Sequence, residues 1–234
     1  MVASDKKVYN VAVLVFDGTD ILDFAGPLEI LTHTMYNLDL ENPEKVFKAT
    51  VVASTPTVTL NQSVIIQTGL LIPDAIAQID TFDILVVTGG WPHLILEKCK
   101  NHTPELQLVE AFNSSPSPDP TPDNSKLIFS ICTGSLFLAA AGALQGLTAA
   151  TTHHQALDLL RGLDPGVEVV SSVTEEEKPR RYVDGGVNTR GKRVVTAGGV
   201  TCGLDGAFYI AELKAGTQAA EFVAQMTEHE WKKV

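Results

Sequence analysis

Lys126-Leu127-Ile128-Phe129-Ser130-Ile131-Cys132-Thr133-Gly134-Ser135 places a cysteine where a strand gives way to a helix. The run from Lys126 to Ile131 is dominated by large apolar side chains, the composition of a strand buried on both faces. A helix is predicted from Thr133 to Gln145, closed at Gly146 by a left-handed cap. A thiol at such a junction meets the unsatisfied N–H groups and partial positive charge of the helix start, which favour thiolate. A sharp turn there lifts the side chain clear of the strand, as in a nucleophile elbow, and Gly134 removes a side chain that would crowd it. The plainer alternative is a small packing residue, since unpaired cysteines are among the most buried types.

Strand and helix signals alternate on both sides of this junction. Val11 to Phe16 reads as a buried strand, followed by the turn Asp17-Gly18-Thr19-Asp20 and a helix entered near Gly26-Pro27, with Leu28, Leu31 and Met35 on one face. Val46 to Ala53, Val64 to Gln67 and Phe82 to Val87 read as strands, the last running into Thr88-Gly89-Gly90. Glu105 to Phe112 reads as a helix. Asn113 to Ser125 carries four prolines and reads as a surface loop. Beyond Gly146, a helix is predicted from His153 to Gly162, then strands at Val167 to Val170 and Tyr182 to Val195, with Asp184-Gly185-Gly186 as a hairpin turn. Helices over Val200 to Lys214 and Thr217 to Trp231 close the chain. The pattern predicts an α/β fold, a mostly parallel sheet with helices on both faces, in one domain spanning 1–234 (core about 9–214, C-terminal helix about 217–231). Ligands of such sheets sit beyond the carboxyl ends of the strands, which directs attention to residues after Phe16, Val87, Ile131 and Thr196.

Composition narrows the function. The chain has 234 residues, 44% of them hydrophobic, enough for a sizeable core. Its net charge of −11 argues against nucleic acid and against an anionic membrane surface. Three cysteines without a C-x-x-C pair describe neither a disulfide framework nor a zinc site. Cys99, among charged residues, reads as an incidental exposed thiol and Cys202 as a packing residue. Residues 1–10 carry no apolar run typical of a signal peptide, and the longest apolar stretch, Leu136 to Leu144, is too short to span a bilayer. Cytoplasmic residence with reduced thiols is the resulting expectation. No G-x-G-x-x-G, Walker or H-E-x-x-H pattern occurs, so no cofactor and no metal are expected.

Ser130-Ile131-Cys132-Thr133-Gly134-Ser135, then Ala140-Ala141-Gly142-Ala143-Leu144 and Ala150-Thr151-Thr152-His153, resembles the DJ-1/PfpI superfamily, which is similar to class I glutamine amidotransferases. Leu22-Asp23-Phe24-Ala25-Gly26-Pro27 and Gly198-Gly199-Val200-Thr201-Cys202-Gly203-Leu204-Asp205 agree with it, and the branch most resembled holds the isocyanide (isonitrile) hydratases and the amidotransferase-like sensing domains of AraC-type regulators. The resemblance implies a flavodoxin-like three-layer sandwich with a nucleophile elbow, a homodimer, and Cys132 as nucleophile toward a small electrophilic substrate. It also implies a carboxylate beside the cysteine, here Asp23, able to pass a proton; a helix-capping Asp is the structural alternative. Thr133 stands where some branches carry histidine, which argues against peptidase chemistry. It either hydrogen-bonds an intermediate or simply starts the helix. His153 is expected to make a structural hydrogen bond near the site. Gly89, Gly90 and the Trp91 N–H are candidates for an oxyanion cradle. The hydratases usually read Gly-Gly-Thr-Gly there; Pro92 removes a donor, and Trp91 instead walls the pocket, implying an altered or bulkier substrate. The apolar stripe Leu28, Leu31, Met35 and Tyr36 suits either a dimer surface or packing on the sheet. Three functions follow: a hydratase acting through a Cys132 thioimidate, an enzyme for another small electrophile such as an α-oxoaldehyde, or a non-enzymatic redox or sensing module.

Overall fold

The computed structural model describes residues 6–117, 125–173 and 180–233; the first five residues and the middle of the predicted 113–125 loop therefore lie outside the described residues. In chain order the elements are β1 (Tyr9–Leu14), α1 (Ile21–His33), β2 (Phe47–Ala53), β3 (Thr57–Leu60), β4 (Val64–Gln67), β5 (Leu70–Leu71), α2 (Ile72–Ala77), β6 (Ile84–Val87), α3 (Pro92–Lys100) and α4 (Pro104–Ser114). They continue with β7 (Leu127–Ile131), α5 (Ser135–Ala140), β8 (Ala149–Ala150), α6 (Leu157–Leu163), β9 (Glu168–Val169), β10 (Tyr182–Val187), β11 (Arg193–Ala197), α7 (Cys202–Ala215) and α8 (Thr217–Met226).

Seven strands form one sheet in the order β10-β11-β7-β6-β1-β2-β5. Every pairing is parallel except β10 with β11. β6 and β7 are buried at every position, as their uninterrupted apolar sequences require of central parallel strands. Period-two alternation divides the core into two layers. Val11, Val13 and Val15 join Val86, Phe129 and Val195 beneath α1, α7 and α8. Ala12, Leu14 and Phe16 join Leu85, Ile128 and Val194 beneath α2, α4, α5 and α6. The result is a flavodoxin-like three-layer sandwich whose strand order reverses between β1 and β6, the place where such sheets open a crevice.

Small residues let α7 approach the sheet. A methyl group on Gly206 would stand 2.7 Å from the Phe129 ring, and one on Gly203 would stand 2.9 Å from Ile131. α1 packs on α7 in the same way, Gly26 against Leu204.

Several elements differ from the sequence reading. α1 begins at Ile21, so Gly26 and Pro27 lie inside it; Pro27 merely leaves the Asp23 carbonyl without its helical donor. The helix ends at His33, so Met35 and Tyr36 of the predicted stripe lie beyond it, but the stripe packs inward: Leu31 and Met35 are buried, and Leu28 and Tyr36 pack against the same core. α5 is shorter than predicted. Gly142, at φ 65°, takes the left-handed cap, and the Ala143 N–H closes back on the Leu138 carbonyl, forming a Schellman end before Gly146 is reached. Asp184-Gly185-Gly186 is not the hairpin turn. It lies within β10 as a bulge at Gly186 (φ 87°), and the chain reverses over 188–192, where Asn188 Oδ1 accepts from the Arg190 and Lys192 N–H groups. α8 stops at Met226 because the tail turns back onto buried Asp205, which accepts from the Lys232 N–H and contacts the His229 ring. Cys99 is half-buried at the end of α3, not exposed, whereas Cys202 is a core residue.

Candidate active site

The β7–α5 junction is an elbow. Cys132 sits at φ 55°, a left-handed conformation that costs a residue with a side chain roughly 1–3 kcal/mol. Backbone contacts hold it there: the Cys132 N–H donates to the Gly198 carbonyl (3.0 Å), and its carbonyl accepts from Thr152 Oγ1 (3.0 Å). Gly134 is indispensable to the turn, since a Cβ there would stand 2.4 Å from the Val87 carbonyl.

Asp23, third residue of α1, is fully buried and is not a helix cap. One carboxyl oxygen, Oδ2, accepts from the Gly89 N–H (3.1 Å), while Oδ1 makes no hydrogen bond to a described group. The Asp20, Asp23 and Cys132 donor atoms all lie within 4.8 Å of one another, a spacing that three ligands of one small cation would also have. Asp20, a turn residue by sequence, therefore belongs to the site. Its place beyond the end of β1 was the available signal.

Electrostatics reverses one expectation. Burial, reinforced by the Asp23 and Asp20 carboxylates, pushes the Cys132 thiol up to about 12. The Thr133 and Val200 N–H groups favour the anion but do not outweigh these effects. The sulfur therefore rests as a thiol, not as the thiolate predicted from a helix start. The helix contributes little because a single 3-10 turn, Cys132–Gly134, intervenes before α5 begins. Burial and Asp20 likewise raise the Asp23 carboxyl to about 8, against the pull of the Gly89 N–H and the Cys132 side chain. Thiol and carboxyl thus form one coupled pair of proton carriers.

Two of the three donors of the expected oxyanion cradle are already committed. Gly89 N–H is committed to Asp23, and Gly90 N–H donates to Thr133 Oγ1 (3.0 Å). Thr133 Oγ1 in turn donates to the Gly90 carbonyl (2.6 Å), so this hydroxyl clamps the loop and has no proton left for an intermediate. Gly89 needs to be glycine: a Cβ would stand 2.7 Å from Asp23 Oδ2 and 2.9 Å from Cys132 Cβ. We expect Thr133→Val to leave the buried Gly90 N–H and carbonyl unpaired and to cost about 1–3 kcal/mol in urea unfolding, with Thr133→Ser close to the parent.

A pocket of about 220 Å³ opens onto the sulfur, lined by Asp20, Gly90, Trp91, Pro92, Cys132, Thr133, His153, Gln155 and Val200. Cys132 is only 3% exposed, but that fraction faces this pocket. His153 Nδ1 accepts from the Gln155 N–H (3.3 Å), which puts the proton of the neutral ring on Nε2. Burial lowers this imidazole's pKa, so the neutral form prevails. Gln155 and Val200 carry no motif that would have singled them out. Val200 is a β-branched residue at φ 44°, an outlier whose N–H points at the sulfur, and nothing in its local sequence announces that conformation. No helix among the described residues is long and apolar enough to cross a membrane.

A family model described as DJ-1/PfpI matches residues 9–213. An isonitrile hydratase of Pseudomonas putida is 37% identical over 105 residues, which cover 45% of this chain and only 39% of that protein. Among solved structures, a ThiJ/PfpI family protein from Pseudomonas syringae superposes with a TM-score of 0.69 at 23% identity, over 97% of this chain and 77% of the other. Drosophila melanogaster DJ-1beta does so with a TM-score of 0.68 at 19% identity, over 96% and 100% respectively. At these identities the structural likeness is one of fold.

Proposed function

The chain belongs to the DJ-1/PfpI family, and on that premise we propose that it is a cysteine-dependent hydratase of small carbon electrophiles, with isocyanides as the substrate class. One observation carries this reading: the Cys132 sulfur, which lines the pocket, lies within 4.8 Å of a carboxyl oxygen of buried Asp23, whose Oδ1 has no hydrogen-bond partner among the described residues. The partial match to an isonitrile hydratase points the same way.

An isocyanide needs a nucleophile and a proton at the same carbon. With Asp23 ionised and the thiol protonated, the Asp23 carboxylate takes the S–H proton as sulfur attacks the terminal carbon. The new S–C bond leaves an electron pair on that carbon, and Asp23 returns the proton there, giving an S-bound thioformimidate. Water adds to the same carbon, with one of its protons going to nitrogen. Collapse of the adduct expels the sulfur, which recovers the remaining hydroxyl proton through Asp23, and an N-substituted formamide leaves. Substrate and water together balance product, and the pair returns to its starting protonation.

The raised thiol pKa weighs against a redox sensor, because it is the thiolate and not the thiol that attacks a peroxide. No imidazole is hydrogen-bonded to the sulfur among the described residues, which weighs against the Cys-His chemistry of peptidases. The test is to offer cyclohexyl isocyanide and methylglyoxal to the parent protein and to Cys132→Ser, following N-cyclohexylformamide and D-lactate by chromatography. Formamide from the parent alone is expected. Equal behaviour of the two proteins on isocyanide would sink the reading.

A further inference from the structure

Trp91 lies between β6 and α3. It is 56% exposed at the pocket wall, and its ring neighbour among the described residues is His93, at 6.3 Å between centroids. Its backbone is nevertheless fixed: Pro92 opens α3 directly after it, and the Trp91 carbonyl accepts from the Leu94 and Ile95 N–H groups. A large apolar surface has been placed on a rigid mount and left uncovered.

The sheet order sets what faces it. β7, which carries Cys132, lies between β6 and β11. Trp91 follows β6. His153 packs edge-on against Gly199, which follows β11, so closely that a Cβ on Gly199 would stand 2.4 Å from His153 Cδ2. The indole and the neutral imidazole therefore flank the sulfur from opposite sides of one pocket. Its volume of about 220 Å³ falls below the roughly 300–1,000 Å³ typical of drug-sized ligands. A pocket of that size, lined by an aromatic side chain on either side of the sulfur, suits a single flat ring, which stacks where a puckered ring of equal carbon count does not.

We infer that Trp91 and His153 form an aryl subsite, making aromatic isocyanides the substrates this pocket selects. The substrate identity rests on the hydratase reading, but the aryl preference can be measured without turnover. The experiment compares phenyl with cyclohexyl isocyanide by kcat/KM in the parent, Trp91→Ala and Trp91→Phe, and titrates formanilide against N-cyclohexylformamide by calorimetry in the same proteins. The phenyl-to-cyclohexyl ratio is expected to fall about tenfold in Trp91→Ala and to be largely kept in Trp91→Phe, with formanilide binding weakened in parallel. Turnover of both isocyanides with an unchanged ratio in Trp91→Ala overturns the subsite and leaves the hydratase reading standing. Absence of turnover with Trp91-dependent preference for formanilide does the reverse. Absence of both turnover and preference removes the two together.

Discussion

Asp23→Asn is expected to lower kcat/KM on an isocyanide by about 10²–10⁴-fold, the usual contribution of a positioned acid–base group. It is also expected to erase the rise of kcat/KM with pH that the parent should show around pH 8. The sign follows from the pair's protonation. Attack needs one proton shared between Asp23 and Cys132; below about pH 8 the carboxyl holds a second one and cannot take the thiol's. Stability moves the other way. An unfolded Asp titrates at about 4 and the folded one at about 8, so between these values the folded chain holds a proton that the unfolded chain has released. Stability attributable to this residue therefore falls as pH rises through that window. A carboxamide does not ionise, so the Asp23→Asn variant should lose less melting temperature than the parent between pH 5 and pH 8, as thermal unfolding at matched salt would record. A parent-like slope in both rate and stability would mean that Asp23 is not the proton carrier.

Cys132→Ser should abolish turnover, with a loss on the order of 10⁴-fold or more, as for a lost nucleophile elsewhere. A hydroxyl is a weaker nucleophile than a thiol, and the same burial and carboxylates that push the thiol up to about 12 would hold a serine proton still more firmly. Folding should survive. The contacts fixing the elbow run through the Cys132 N–H and carbonyl, neither of which the substitution touches. Intact-protein mass spectrometry after a brief pulse of isocyanide should find one added substrate mass on the parent and none on Cys132→Ser. An adduct that persists in the variant would place the reactive sulfur at Cys99 or Cys202 instead.

Much of the fold was legible because it is local. β6 and β7 announce themselves by unbroken apolar runs, and Gly134 marks the sharp turn after Cys132 in the chain's own order. β3 and α3 were not legible, since four residues of mixed exposure and a helix with a single buried residue leave almost no periodic signal. Gly26-Pro27 misled, because proline is commonest at helix starts and its cost inside α1 is only one bond.

By itself the sequence determined the layers, the strand–helix alternation and the presence of Cys132, Asp23 and Trp91 at the carboxyl edge of the sheet, all consequences of short-range pattern. Tertiary structure alone decided what those residues can do. The Gly89 N–H reaches Asp23 across 66 positions of chain and Thr133 reaches Gly90 across 43, so two of the three supposed oxyanion donors were spent before any substrate arrived. Whether the sulfur rests ionised depends on burial and on two carboxylates brought beside it by β1 and α1, and a helix start read in isolation cannot report those.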